Sequence, residues 1–285
     1  MTLGPDDLPD RLKKEYLAGR LAVFVGAGAS QGAGYPSWGG FLEQLTDRAV
    51  GEKLLTKEVE AEVRDLIASG SRPLMVAGKL KSALGAEWVD AVSDIFDDCG
   101  KKPTPLHEAI FNLDKSPFFV TTNYDNLLEE AYIAKRRGAP PVYTFKNSGE
   151  IRRRMMRRDF FILKAHGSVS SIGDGIILTT NDYRRLAFEE RAYQAILSSI
   201  FTTYTVLFVG VSLTDPEVNN LLDYIADAFP PTGAPVHYAL IPDDKMNSVE
   251  IEQWRESYHI SIIQYSPANG HSQLVDAMRA LAGSV

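Results

Sequence analysis

Three apolar runs in this chain each break, at the carboxyl end, into glycine or into polar residues with chemical capability. They are Leu21-Ala-Val-Phe-Val-Gly-Ala-Gly-Ala-Ser30, Phe118-Phe-Val-Thr-Thr-Asn-Tyr-Asp125 and Phe161-Ile-Leu-Lys-Ala-His-Gly167. A short run that is apolar throughout reads as a strand covered on both faces, the habit of parallel sheets. In an open parallel sheet, ligands bind in the crevice at the carboxyl ends of the strands. A glycine turn, Asn123 and His166 are therefore expected to converge on one crevice.

Further strand-like runs lie at 175 to 179, 205 to 211, 236 to 241 and 260 to 265, besides those at 21 to 25, 117 to 122 and 160 to 165. Helical periodicity separates most of them: Pro5 to Leu17, Asp125 to Ala134, Arg185 to Phe201 and Pro216 to Ala228, the last with Asp215 as N-cap and Pro216 at the first helical position. Strand, helix, strand is the order of βαβ units, so the expected fold class is α/β, a Rossmann-like doubly wound parallel sheet. Residues 38 to about 112 interrupt the alternation with apolar residues at helical spacing, such as Val59, Val63, Leu66 and Ile67, and no strand. That interval reads as an inserted helical module, a lid or an oligomer surface, within one domain spanning 1–285.

At 285 residues, 45% of them hydrophobic, the chain can bury a full core. No apolar run approaches the length of a membrane span and the first residues lack a secretory pattern, so a cytoplasmic protein with no membrane partner is expected. The single cysteine, Cys99, excludes a disulfide framework and a paired-cysteine zinc site. A net charge of −7 argues against a general nucleic-acid binder. The charge is uneven, however: between Lys135 and Arg158 nine cations face Glu150 alone, a local +8. That segment is a solvated face or a docking surface for an acidic partner or a nucleotide phosphate.

In Gly26-Ala-Gly28-Ala-Ser30, glycine permits a tight turn and lets backbone N–H groups approach a diphosphate. The dehydrogenase fingerprint would place glycine where Gln31 stands and an acidic strand-end residue near Asp47, which sits in a helical pattern. A nucleotide loop of another kind is indicated. Asn123 carries an amide able to orient ribose hydroxyls or a water, whereas Asp125 caps the next helix or contacts ligand. His166, before Gly167-Ser168, can act as a base near neutral pH. In Phe208-Val-Gly-Val-Ser212, Gly210 permits close backbone approach and Ser212 can bond ribose or phosphate oxygens. Thr179-Thr-Asn-Asp-Tyr183 reads as a strand-to-helix transition with a capping role, and His107 and His271 as helix-start or turn residues.

Together these segments resemble the sirtuin-like, or silent information regulator, superfamily. Gly26-Ala-Gly28-Ala-Ser30 is similar to its NAD loop, and Pro103-Thr-Pro-Leu-His107 to the segment before its central strand. Thr121-Thr-Asn-Tyr-Asp125 is similar to its Asn-containing catalytic motif, Ala165-His-Gly167 to its catalytic His motif and Gly210-Val-Ser212 to its Gly-Thr-Ser nucleotide motif. The departures are informative. Protein-deacylating sirtuins carry two pairs of zinc-binding cysteines, and where they have an Ile-Pro-Asp-Phe-Arg-like run this chain reads Tyr35-Pro-Ser-Trp38. These differences fit instead the bacterial branch that resembles antiphage defence effectors.

The resemblance implies NAD as substrate, no zinc, and hydrolysis to nicotinamide and ADP-ribose. It implies Asn123 and His166 as catalytic residues, with Gly26, Ala27, Gly28, Ser30, Thr122, Asp125, Gly210 and Ser212 binding the dinucleotide. By analogy it also implies a homo-oligomer and a companion such as a HerA-type ATPase, an Argonaute-like protein or another nucleoside-triphosphatase sensor. Two other functions remain open at this point, an NAD-dependent protein deacylase and a non-catalytic sensor of NAD or ADP-ribose. An acyl-lysine peptide incubated with NAD separates the first, and binding without nicotinamide release the second.

Overall fold

The computed structural model describes residues 8–97, 100–213, 218–220, 222–223, 226 and 236–284. Cys99, Asp215 and Pro216, which the sequence reading used, lie outside the described residues. In chain order the elements are α1 (Asp10–Leu17), β1 (Leu21–Val25), α2 (Gly28–Gln31), α3 (Trp38–Gly51), α4 (Lys57–Ala68), α5 (Pro73–Leu84), α6 (Trp88–Ile95), α7 (Pro105–Phe111) and β2 (Phe119–Thr121). There follow α8 (Leu127–Arg136), β3 (Val142–Thr144), α9 (Ser148–Arg157), β4 (Ile162–Lys164), α10 (Thr180–Glu189), α11 (Arg191–Thr203) and β5 (Thr205–Val209). The chain then forms β6 (His237–Pro242), α12 (Ser248–Tyr258), β7 (Ile260–Tyr265) and α13 (Ala268–Ala282).

The seven strands form one sheet in the order β3-β4-β2-β1-β5-β6-β7, with every pair parallel. Burial on both faces follows from strand periodicity. Leu21, Val23 and Val25 of β1 join one core, with Leu12, Ile110, Leu128 and Met278 from α1, α7, α8 and α13. Ala22 and Phe24 point the other way, into a core with Ile151, Leu197 and Phe201 from α9 and α11. The doubly wound α/β sheet is thus as expected. Strand order reverses beside β1, with β2 on one side and β5 on the other, and that is the switch point where such sheets bind ligands.

Two strand expectations need correction. Residues 175–179 form no strand; Ile176, Ile177 and Leu178 are buried because they line the inside of a loop, and the Ile177 N–H bonds the His166 carbonyl at 2.9 Å. The strand with no counterpart among these expectations is β3, a three-residue edge strand beside Pro140 and Pro141, with Val142 and Tyr143 partly covered and Thr144 buried. A strand of only three residues, two of them partly exposed, is too short to show strand periodicity, whereas the longer edge strand β7 is legible. The helix expected from Arg185 to Phe201 is two, broken at Glu190 between α10 and α11. Thr179 caps α10 in a reciprocal capping box with Asp182, as expected.

Helices α3 to α6 build their own core from Phe41, Leu45, Leu80, Trp88 and Val92, and it includes Tyr124 and Leu178 from the sheet side. Tyr124 meets Phe96 edge to face at 5.4 Å. Lys81 of α5 pairs with Asp182 of α10 at 3.0 Å. By contrast, α7 packs on the sheet through Leu106, Ala109 and Ile110.

Candidate active site

Strand register sets the geometry. Val25 of β1 pairs with Thr121 of β2 and with Val209 of β5, and Thr121 pairs with Lys164 of β4. Four neighbouring strands therefore end level. Gly26 and Gly210 directly follow two of them, and Asn123 and His166 each stand two residues beyond a register pair. Both side chains are buried, at 7% and 4% exposure.

The glycines meet one another. Gly26 N–H donates to the Val209 carbonyl and Gly28 N–H to the Gly210 carbonyl, both at 2.9 Å. A Cβ on Gly26 would stand 2.5 Å from the Gly210 oxygen, and one on Gly210, whose φ is +66°, 2.7 Å from the Ala29 nitrogen. Only glycine allows two turns so close. The glycine pattern points these amides at a diphosphate; in the fold the N–H groups of Gly26, Gly28, Ala29 and Ser30 all donate to protein carbonyls. Glycine is here for the turn-to-turn approach across the switch point.

Asn123 is held from three sides. Its N–H donates to the Thr121 hydroxyl at 3.0 Å, and its Nδ2 donates to the Gly26 carbonyl at 3.0 Å and to Ser30 Oγ at 3.1 Å. Because the Gly26 carbonyl can only accept, the amide orientation is fixed. Asn123 Oδ1 is buried and has no hydrogen-bond partner among the described residues. Such a group costs about 1–3 kcal/mol unless something donates to it. The site therefore offers an acceptor, and its natural complement is a hydroxyl or a water.

The Asp125 carboxyl accepts the Leu127 N–H at 3.0 Å as the turn into α8 begins. Burial pushes the Asp125 carboxyl up, and the Leu127 N–H, Ser30 and Lys164 pull against that. Asp125 is thus a turn residue at the start of α8. Thr122 is half-buried between Thr121 and Asn123, Ala27 is exposed at the tip of the first turn, and Ser212 is exposed two residues past Gly210. The His166 ring meets the Tyr183 ring edge to face at 5.4 Å. Gly167, at φ +91°, lets the chain turn away, since a Cβ there would lie 2.6 Å from the Gly175 carbonyl.

Lys164, Tyr124 and Thr104 belong to this architecture, and the sequence reading assigned none of them a role. Lys164 is fully buried at the end of β4 and donates to the carbonyls of Tyr124 at 3.1 Å and Asp125 at 2.5 Å, and to Glu129 at 2.8 Å. A lysine inside Phe161-Ile-Leu-Lys-Ala was the available signal, because a cation in a doubly covered strand must have partners. Tyr124 donates its hydroxyl to the Ile177 carbonyl at 2.6 Å and accepts the Val169 N–H, tying the Asn123 turn to the loop after His166. Thr104 donates to the Ala29 carbonyl at 3.3 Å, and its own N–H bonds Nδ1 of His107, a buried residue in the first turn of α7. His271 bonds the Tyr265 hydroxyl at the start of α13, a turn role as expected.

Residues 117–263, just over half of the chain, match the SIR2-like domain. The chain belongs to the SIR2-like family. The matched stretch contains Asn123, His166 and Gly210, so three of the four strand-end segments lie in the family's domain. Among curated relatives, "NAD(+) hydrolase ThsA" of Bacillus cereus (strain MSX-D12) is 27% identical over 84% of this chain and 46% of its own length. "NAD(+) hydrolase ThsA" of Acinetobacter baumannii (strain 532279) is 28% identical over 76% of this chain and 41% of its own. "Defense-associated sirtuin 2" of Bacillus subtilis is 25% identical over 73% of this chain and 19% of its own. The SIR2-like chain described here thus spans less than half the length of these relatives. Among the described residues no cluster of three metal-binding side chains occurs, and no helix is long and apolar enough to cross a membrane.

Proposed function

We propose that this chain hydrolyses the bond between nicotinamide and ribose in NAD, releasing nicotinamide, ADP-ribose and a proton, as an NAD-depleting effector of antiphage defence. The observation that carries the reading is Asn123, a buried amide whose donors are taken by Gly26 and Ser30 and whose Oδ1 awaits a donor. Relatives named NAD(+) hydrolase over most of this chain support the same reaction.

Nicotinamide is a good leaving group, and its departure leaves an oxocarbenium-like ribose, so the protein's task is to position the ribose and a water. Asn123 Oδ1 accepts from a ribose hydroxyl or from the attacking water, and His166 takes the proton that the water loses as it bonds to the ribose carbon. The dinucleotide runs from there over the first glycine turn, with Ser30, Thr122 and Asp125 on the nicotinamide side and Ala27, Gly210 and Ser212 along the diphosphate and ribose. NAD depletion places the action in the cytoplasm. It also requires a gate, for which self-assembly or a companion nucleoside-triphosphatase encoded beside this chain is the candidate.

Nicotinamide release by the purified chain, with and without the product of the neighbouring gene, tests the reading. Asn123→Ala and His166→Ala each cut the rate at least about 100-fold, the usual loss for positioned proton-transfer groups, while the melting transition persists. Normal turnover by His166→Ala, or no release by the parent chain in either condition, overturns it.

A further inference from the structure

A cavity of about 560 Å³ lies at the opposite end of the sheet from Asn123. Arg20, Phe160 and Tyr204 line it where the chain enters β1, β4 and β5, and Phe119 lines it as the first residue of β2. Its volume is in the range of small-molecule sites.

The basic segment singled out in the sequence, which the catalytic reading does not use, delivers two of its cations here. Arg136 ends α8 and Arg158 follows α9, and both line the cavity with Arg20 and Lys115. Arg20 is paired with Glu15, and Arg136 with Asp114, the one acid in the lining, each at 2.8 Å. Lys115 and Arg158 have no carboxylate partner among the described residues. Two exposed, uncommitted cations therefore face one concavity. The wall beside them is aromatic, with Tyr132 and Phe160 stacked at 5.5 Å and 12° and both partly exposed. Ser116, also in the lining, is 5% exposed with a hydroxyl that bonds nothing among the described residues.

Cations beside a flat aromatic wall recognise a phosphate joined to a planar ring. We propose that this cavity is a second ligand site that takes a nucleotide, its base against Tyr132 and Phe160 and its phosphate on Lys115 and Arg158. The inference is independent of the roles of Asn123 and His166, because it uses neither residue nor any turnover measurement.

Calorimetric titration of the full chain with AMP and with GMP at about 0.15 M salt tests it. Saturable binding is expected for at least one of them. Lys115→Glu combined with Arg158→Glu weakens it at least tenfold, and Tyr132→Ala about fivefold or more, the loss expected for one stacked base. The charge reversals leave the other end of the sheet untouched, because five strand residues span roughly 15 Å and the screening length at this salt is about 8 Å. Absence of saturable binding below millimolar concentrations overturns the proposal, as does binding that the double reversal leaves unchanged.

Discussion

The two ends of the same strands are built on opposite principles. At the carboxyl end, Asn123, Asp125, Lys164 and His166 are all at least nine-tenths buried, and the backbone turns touch so closely that only glycine fits. At the amino end, Arg20, Lys115, Arg136 and Arg158 are exposed around an open cavity. Burying polar groups is costly unless each has its partner, so the carboxyl end is a fixed constellation in which one removal strands another group. Exposed charges are screened and individually worth little to folding. The contrast separates a region where position is enforced from one where affinity can be tuned without disturbing the fold.

Lys164 gives the largest expected effect. Lys164→Met removes the cation that Glu129 and two turn carbonyls depend on, and breaking a buried pair from one side costs about 3–5 kcal/mol. Denaturant unfolding should show that loss. It should also show that Lys164→Met with Glu129→Leu recovers part of it, since the stranded carboxylate is then gone. At the other end, Arg158→Glu should stay within about 0.5 kcal/mol of the parent. Equal costs at the two ends would break the comparison.

The next effect depends on pH. His107, which supports the glycine loop through Thr104, is held down to about 4 by burial. Its ordinary value is about 6.5, so between these values the unfolded chain binds the proton and the folded chain does not. The contribution of neutral His107 to stability is therefore fully present above about pH 6.5 and is lost as pH falls toward 4, by on the order of 3 kcal/mol. His237, buried in β6 and pushed down to about 3, adds a second loss of the same sign. Unfolding midpoints at pH 7.5 and 4.5 should differ less in His107→Gln than in the parent. An unchanged pH slope would remove His107 from the account.

The sheet was legible in the sequence wherever strands are covered on both faces. β1 and β5 read as unbroken apolar runs because helices pack on each side, and their glycine-bearing ends followed from the same pattern. β3 was not legible, because a strand of three residues, Val142 and Tyr143 partly exposed and Thr144 buried, is too short to show periodicity. Residues 175–179 misled for the opposite reason: they are apolar to seal a loop against Tyr124 and His166 rather than to join a ladder. The site divides in the same way. Asn123 and His166 stood out as polar residues just past strands, whereas Lys164 was hidden inside one and its partners are carbonyls, which have no sequence signature. The direction of the Asn123 amide also needed coordinates, since it depends on the Gly26 carbonyl, 3.0 Å away at the end of the neighbouring strand but 97 residues away in sequence.

The finest test uses two glycines with the same backbone angle. Gly19 at the amino end and Gly210 at the carboxyl end both have φ of +66°. An alanine at either pays the left-handed penalty of about 1–2 kcal/mol, and beyond that the two sites differ. The added methyl at Gly19 would lie 3.6 Å from the Lys115 carbonyl, an ordinary contact, whereas at Gly210 it would lie 2.7 Å from the Ala29 nitrogen, which is backbone and cannot swing aside. Gly210→Ala should therefore cost about 1–3 kcal/mol more than Gly19→Ala in matched unfolding curves, the usual range for overpacking. It should also disturb the Gly26 carbonyl that orients Asn123, so the proposed NAD cleavage should fall in Gly210→Ala and persist in Gly19→Ala under conditions where both are folded. Equal destabilisation by the two alanines would mean that the turns beside β1 and β5 are looser than the carbonyl and amide contacts between them require.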